Sequence, residues 1–259
     1  MIDLPTSATF AAVMADPRFP AAIGIAVLTG LVRGFSGFGS ALIYVPLMSA
    51  VYSPQVAAAT FVLQDIVCGV LFLSGIWQKA HWRDVLVMAA AAIFAAQFGT
   101  LILQYADPVT LRWALSIFVC GVVAILASGW RYHGKPMLAA TLMVGLLAGL
   151  IGGAVQISGP PIIVYWLGSG LPADILRANF FAYFSLFSAA SIVTYALHGL
   201  MTAFVLALAA YVTPVTVIGM AAGSYLFRFA SEKSYRQIAL VIVALSALIS
   251  LPLLDGILR

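Results

Sequence analysis

Long apolar runs separated by short polar segments dominate the sequence, and their lengths predict membrane-spanning helices. A spanning helix needs about 17–25 mostly apolar residues. Four runs meet this requirement directly, and two more do so with polar residues near their middle. The predicted spans are 56–77, 85–104, 111–130, 175–197, 203–227 and 237–254.

Two further apolar segments, 19–52 and 136–167, are interrupted near their centres. A helix over 19–52 would be about 51 Å long, whereas the hydrocarbon core of a bilayer is about 30 Å thick. The middle of 19–52 is rich in glycine and serine, and the middle of 136–167 carries glycines and two prolines, all of which are poor helix formers. We therefore expect each segment to be a re-entrant helical hairpin.

A shift of 119 residues superposes the two interrupted segments and the order of spans that follows each one. Paired broken segments in two halves are typical of transporters. We predict an N-terminal interfacial segment over 1–18, a first repeat over 19–130 and a second over 131–259. The shift aligns Gly30 with Gly149, Gly34 with Gly153 and Phe61 with Phe180.

The basic residues of the loops predict how the chain is oriented. If both interrupted segments re-enter, three loop clusters lie on one side, which the positive-inside rule makes cytoplasmic. Each repeat then has three crossings, an odd number, so the repeats are inverted and both termini lie outside. The predicted fold class is an all-α polytopic membrane protein of two inverted repeats. The clusters are Lys79 with Arg83, Arg131 with Lys135, and Arg228 with Lys233 and Arg236.

Composition supports a membrane protein. Apolar residues make up 64% of the 259 residues, charged residues only 8%, and the mean hydropathy is +1.12. A soluble domain usually carries about 25% charged residues, so a soluble enzyme, a disordered chain, a nucleic-acid binder and a secreted scaffold are excluded. The net charge of +4 is distributed over short loops rather than gathered into one patch.

The hairpin tips are the candidate binding site. Helix N-termini present unpaired N–H groups and partial positive charge, so two opposed N-termini near the midplane would bind an anion. An alternative is that the glycines only permit close packing and the serines only cap helices. The candidate substrate-binding residues are Arg33, Gly34, Ser36, Gly37, Phe38, Gly39, Ser40, Gly153, Gln156, Ser158, Gly159, Pro160, Gln64 and Tyr183.

Arg33 and Asp65 are the charged residues well inside predicted membrane segments, where a charge is costly and is therefore paired or functional. Asp65 is a candidate for carrying a coupling proton. A fixed ion pair between Arg33 and Asp65 is the alternative. Gln64 and Tyr183 align under the repeat shift, and each either lines the cavity or makes an interhelical hydrogen bond.

The glycines and prolines of the two interrupted segments resemble those of the sulfite exporter TauE/SafE family, and the resemblance covers nearly the whole chain. The resemblance implies a permease of the bacterial plasma membrane that moves sulfite, sulfonates or other small organosulfur anions. The first tip has fewer consecutive glycines than is usual in that family. The resemblance is carried by Gly34, Gly37, Gly39 and Pro46, and by Gly149, Gly152, Gly153, Gly159, Pro160, Pro161 and Arg177.

From the sequence we therefore expect a secondary transporter that works by alternating access, without enzymatic activity, cofactor or metal. Its expected partners are a small anion and the lipid bilayer, with a coupling proton and a homodimer left open, and no nucleic acid. Two alternatives remain. One is a rhomboid-type intramembrane serine hydrolase, since Ser36 lies in a G-x-S-G pattern and His198 would be its base. The other is a passive anion channel.

Overall fold

A computed structural model describes residues 4–36, 39–73, 77–128, 137–226 and 232–254, and these form helices without any strand. Short 3-10 turns occur at Trp77–Lys79 and Pro252–Leu254. The helices are α1 (Ser7–Ala15), α2 (Phe19–Ser36), α3 (Ala41–Val51), α4 (Pro54–Leu73), α5 (Trp82–Tyr105), α6 (Pro108–Ser128), α7 (Leu138–Val155), α8 (Gly159–Leu167), α9 (Ala173–Leu197), α10 (Ala203–Leu226) and α11 (Glu232–Ile249).

The helices are grouped into two compact units that do not follow the order of the chain. Unit 1 contains α1 to α3, α6, α10 and α11, and unit 2 contains α5 and α7 to α9, while α4 passes from one unit to the other after Phe61. The predicted repeats are stretches of sequence, and their boundaries stay a prediction. Unit 1 comprises Met1–Phe61, Ala106–Gly129 and Gly199–Arg259, and unit 2 comprises Val62–Tyr105 and Trp130–His198.

In unit 1, α2 packs along α10 through small residues. A Cβ at Gly30 would lie 2.5 Å from the Thr216 carbonyl oxygen, and a Cβ at Gly223 would overlap the Leu31 carbonyl. The two backbones therefore approach more closely than any side chain at these positions would allow, as is common between membrane helices. Gly219 and Gly223 of α10 both lie against the backbone of α2.

In unit 2, α7 packs along α5 in the same way. A Cβ at Gly149 would overlap the Ala92 carbonyl, and a Cβ at Gly99 would overlap the Leu150 carbonyl. Around this pair lies a buried core from α8 and α9 that includes Trp166. The glycines of α7 thus hold α7 against α5 and leave its C-terminal end close to α9.

Six helices are long and apolar enough to cross a membrane among the residues described. Five of them correspond to predicted spans. The sixth is α7, which was expected to be only the first arm of a hairpin; at 18 residues it is about 27 Å long. The six are Pro54–Leu71, Trp82–Tyr105, Pro108–Ile125, Leu138–Val155, Asp174–Leu197 and Ala203–Leu226.

Both interrupted segments do break, but later than the glycines suggested. Gly152 and Gly153 were expected within the break, yet both are helical residues of α7, and the chain turns only at Gln156 and Ile157. Likewise Arg33 and Gly34 belong to α2. The physical reason is contact: a Cβ at Gly153 would overlap the Ala96 carbonyl of α5, so this glycine serves helix packing.

The predicted N-terminal segment contains α1, which meets α2 at an angle of 87°. Asp16 and Arg18 form an ion pair at this bend, with 2.9 Å between Oδ2 and Nη2. The Arg18 guanidinium also lies 4.6 Å from the centre of the Tyr52 ring. These contacts fix the bend within unit 1, because Tyr52 follows the end of α3.

Candidate functional site

The second hairpin tip is the turn between α7 and α8. Gln156 ends α7 in the left-handed region, with a φ of 56°, and its backbone N–H donates to the Gly152 carbonyl at 2.8 Å. Ser158 precedes α8, and its side chain makes no capping hydrogen bond. A left-handed glutamine is strained relative to glycine, so something other than turn formation favours a side chain at position 156.

The side chains of this tip are buried against α9. Gln156 and Ser158 are only 5% and 3% exposed. The Tyr195 hydroxyl donates to the Gly153 carbonyl at 2.9 Å, and Gln156 lies beside that hydroxyl. Ser158 lies beside the Tyr183 hydroxyl without the geometry of a hydrogen bond. Two tyrosines of α9 therefore surround the turn.

Side chains are the main donors at this tip. Pro160 and Pro161 occupy the first turn of α8 and carry no N–H, so the helix N-terminus offers fewer amide donors than expected. Gln156 Nε2 and the Tyr183 hydroxyl are buried polar atoms without a hydrogen-bond partner among the described residues. The tip thus differs from the amide-based site predicted from sequence, and the prolines were the available signal.

Aromatic rings enclose the Tyr183 side of the tip. The Tyr183 ring stacks on Phe187, with 5.7 Å between centroids, and meets Trp166 and Phe184 edge to face. A Cβ at Gly152 would lie 2.6 Å from the Phe187 ring, so the absence of a side chain admits that ring. Phe184 and Phe187 of α9 therefore pack around this side of the tip.

The first hairpin tip lies in unit 1, between α2 and α3. Gly39 has a φ of 89°, and Ser40 precedes α3, as predicted, but does not cap it through its side chain. Instead Ser40 Oγ lies 3.4 Å from Nη1 of the buried Arg33. Gly37, Phe38 and the side chain of Ser36 lie outside the described residues.

Some amides of the first tip are already used within the turn. The N–H groups of Leu42 and Ile43 donate to the carbonyls of Gly39 and Ser40, each at 3.1 Å. The guanidinium of Arg33 is consequently the strongest positive group described at this tip, since it carries a full charge whereas a helix N-terminus carries about half of one.

Gln64 and Asp65 are buried residues of α4 in unit 2. Asp65 accepts a hydrogen bond from the Ser188 hydroxyl of α9 at 2.5 Å. One turn further along α4, a Cβ at Gly69 would lie 2.9 Å from Ser185 Oγ. Arg33 belongs to unit 1 and Asp65 to unit 2, so the expected ion pair between them stays a prediction.

Among the predicted site residues, the structure brings together Gly153, Gln156, Ser158, Gly159 and Tyr183 in unit 2. A second group comprises Arg33, Gly34, Gly39 and Ser40 in unit 1. Sequence reasoning missed several buried partners on α9. Asn179 lies one helical turn before the predicted site residue Tyr183, and this spacing was the available signal for it. The missed residues are Asn179, Ser188 and Tyr195.

His198, the base of the hydrolase alternative, ends α9, and its Nδ1 lies 2.9 Å from the Thr194 carbonyl. This hydrogen bond is the local contact expected of a histidine at a helix C-terminus. The Ser36 side chain that it would have to activate lies outside the described residues.

Within the described part of the chain, six helices are apolar and long enough to span a membrane, and a buried polar side chain lies at the break after α7; together these define a multi-pass membrane protein of the transporter class. The chain belongs to the sulfite exporter TauE/SafE family, whose model matches residues 22–249. Members of this family are transporters and not enzymes, which removes the serine hydrolase alternative.

One relative is the "Probable sulfite/organosulfonate exporter TauE" of Cupriavidus necator. It is 27% identical over 247 residues, which cover 90% of this chain and 95% of the relative. No solved structure matches the chain significantly.

Proposed function

We propose that the protein is a secondary transporter that moves a small sulfur oxyanion, such as sulfite or a sulfonate, across the bacterial plasma membrane by alternating access. Membership of the TauE/SafE family and the name of the Cupriavidus relative support the substrate class. The multi-pass helices support the membrane location. The orientation, with both termini outside, follows from the positions of the loop charges.

The second hairpin tip carries the proposal. An unpaired donor in a buried position costs about 1–3 kcal/mol, so Gln156 Nε2 and the Tyr183 hydroxyl are best explained by a ligand that accepts hydrogen bonds. A sulfite or sulfonate group has three oxygen acceptors. The rest of a small sulfonate is apolar, and sulfite has no further group. Neutral donors in a low-dielectric site bind such a group without an opposite charge.

We extend this binding role to the first tip because of the sequence duplication. Arg33 would supply positive charge there, and Gly34, Ser36, Gly37, Phe38, Gly39 and Ser40 its walls and donors. Gly153, Gly159, Pro160 and Gln64 are the corresponding proposals around the second tip. Asp65 is proposed to carry the coupling proton.

Matching helix contacts support the duplication. Gly223 of α10 lies against Leu31 of α2, and Gly99 of α5 lies against Leu150 of α7. Leu31 and Leu150 are the same residue under the 119-residue shift. Since the long arm of each predicted hairpin packs on the second span after the other hairpin, two related halves explain both contacts at once.

The membrane depth of the second tip can be tested by cysteine labelling. After Cys68 and Cys120 are replaced by serine, Ser158→Cys should react with a small membrane-permeant thiol reagent, and sulfite should protect it. The matched control is Ser169→Cys, which lies beyond α8 and should react without protection. Labelling of Ser158→Cys only from the outside would show that α7 crosses fully, and would contradict re-entry.

The function itself is tested by flux into and out of proteoliposomes that contain the purified protein. We expect transport of sulfite and methanesulfonate and much slower transport of acetate. Gln156→Glu, which places a carboxylate at the tip, should reduce the flux about tenfold or more, whereas Gln78→Glu at an exposed position should not. Absence of anion flux from folded wild-type protein would overturn the proposal, and resolvable single-channel currents would identify a channel instead.

A further inference from the structure

Helix α9 carries a buried stripe of residues spaced four apart, which runs past the second hairpin tip. Its members are 0–3% exposed. Neighbouring members, four residues apart, lie one above another on nearly the same side of the helix. Four of the five can form hydrogen bonds, so the stripe is largely polar inside unit 2. The stripe consists of Asn179, Tyr183, Phe187, Ser191 and Tyr195.

Asn179 is the member nearest the start of α9, and its amide orientation is fixed. The backbone N–H of His81 donates to Asn179 Oδ1 at 2.8 Å. Because a backbone N–H can only donate, the atom it meets must be the amide oxygen, and Nδ2 must point the other way. Nδ2 is buried, and the described part of the chain offers it no hydrogen-bond partner.

A purely structural role explains the amide oxygen of Asn179 but not its Nδ2 group. Binding the His81 N–H needs one acceptor oxygen, which serine, threonine or aspartate would also provide. The asparagine instead brings a second, donating group to a site with 0% exposure, and leaving such a group unsatisfied carries its full desolvation penalty. The amide at this position therefore indicates an acceptor that visits it.

The segments next to Asn179 carry an excess of one positive charge, from three cations and two carboxylates. Lys79, His81, Arg83 and Arg177 lie around it, accompanied by two carboxylates, Asp84 and Asp174. Lys79 pairs with Asp174 at 3.1 Å, and Arg177 is exposed over the Phe181 ring. The net positive field raises the local concentration of small anions.

We propose that Asn179 is a relay site for the transported anion, which Nδ2 binds between this basic end of unit 2 and the Tyr183 hydroxyl one turn further along α9. This inference rests on the proposed transport function. It assigns a route to one side of the tip: from the basic residues to Asn179, then to Tyr183, and then to Ser158 and Gln156. In the conformation described, the route is closed, since Asn179 and Tyr183 are both fully buried.

The decisive variant is Asn179→Asp. It keeps an oxygen for the His81 N–H and replaces the donating Nδ2 with an acceptor of similar size. We expect the initial rate of methanesulfonate flux in proteoliposomes to fall about tenfold or more, as one lost charge-assisted hydrogen bond would require. Stabilisation of the variant by methanesulfonate in a thermal melt should remain, because the tip is intact. A wild-type rate for folded Asn179→Asp would overturn the relay.

Asn179→Ser provides a second readout if the aspartate variant does not fold. The serine hydroxyl can accept from His81 but reaches less far, so we expect KM for methanesulfonate to rise several-fold with an unchanged melting temperature. An unchanged KM would also overturn the relay. In either case, normal flux by the wild type would show that the proposed transport function stands and that only the role of Asn179 has failed.

Discussion

The hydroxyl of Ser188 on α9 donates a hydrogen bond to the carboxylate of Asp65 on α4, and both side chains are buried within unit 2. This contact fixes the carboxylate of a residue that lies inside a candidate membrane span. A carboxylate in such a position is held by partners, used for proton transfer, or both. The following change separates these roles.

Asp65→Asn should preserve the contact with Ser188, because the amide oxygen accepts the same hydrogen bond, while removing the titratable group. We expect a folded protein whose methanesulfonate flux no longer responds to a pH gradient. Methanesulfonate is the appropriate probe because it stays ionised across neutral pH. Ser188→Ala is the control, since it removes the hydrogen bond and retains the carboxylate. A wild-type pH response in Asp65→Asn would leave Asp65 with a structural role only.

Gln156→Gly should raise stability and lower transport. Glycine adopts the left-handed conformation of position 156 freely, so the free energy of unfolding should rise by about 0.5–1 kcal/mol. The loss of Nε2 should reduce methanesulfonate flux about tenfold. Thermal melts and flux measured on the same preparation check both effects. Full activity in a stabilised variant would show that the glutamine does not bind the substrate.

Gly223→Ala should destabilise unit 1, because its new methyl group would overlap the Leu31 carbonyl of α2. Overpacking of this kind costs about 1–3 kcal/mol. Gly24→Ala lies on α2 with nothing within 4 Å of the new Cβ, and it should be neutral or slightly stabilising. Melting temperatures in detergent provide the comparison. Equal melting temperatures would contradict the close approach of α2 and α10.

Asp16→Asn should weaken the bend between α1 and α2 in a pH-dependent manner. The hydrogen bond from Arg18 lowers the pKa of Asp16 below its usual value, so the ionised form stabilises the fold. That stabilisation is present above the unfolded-state pKa, about 3.9, and is lost as the pH falls through the lower folded-state value. The variant should be less stable by up to about 1 kcal/mol at neutral pH. Melts repeated in acid should converge with the wild type.

The neighbouring Tyr52 should not contribute to this pH dependence near neutrality. Burial raises its pKa to about 12, so its hydroxyl stays neutral while Arg18 lies over its ring. A Tyr52→Phe variant should accordingly show the same acid dependence as the wild type. A changed acid transition would instead make Tyr52 a participant.

Hydropathy sufficed to predict most of the fold. Five spans were both predicted and found in the structure. Each can be recognised from its own sequence, because an apolar run of this length has few alternatives to a membrane helix. A break near the centre of each interrupted segment was also predicted, since glycine and proline act within their own turn. The extent of α7 was missed because glycines that disfavour an isolated helix are stabilised here by contact with α5.

The site was predicted only in part for the same reason. Gln156 and Ser158 lie at a break that is visible in the sequence, whereas the roles of Asn179 and Tyr195 depend on which helix packs against the tip. Local pattern cannot indicate that Tyr195 donates to Gly153, a partner 42 residues away. The four-residue spacing of the stripe on α9 is visible in the sequence, but its packing against the tip depends on the tertiary structure.

Each compact unit is built from helices of both halves of the sequence. The long arm of each hairpin covers its glycines with a helix from the opposite half, α10 for α2 and α5 for α7. A gene product of half the present length would expose those glycine grooves to lipid, and could bury them only by exchanging helices with a sister copy. Neither half is therefore expected to fold when expressed alone.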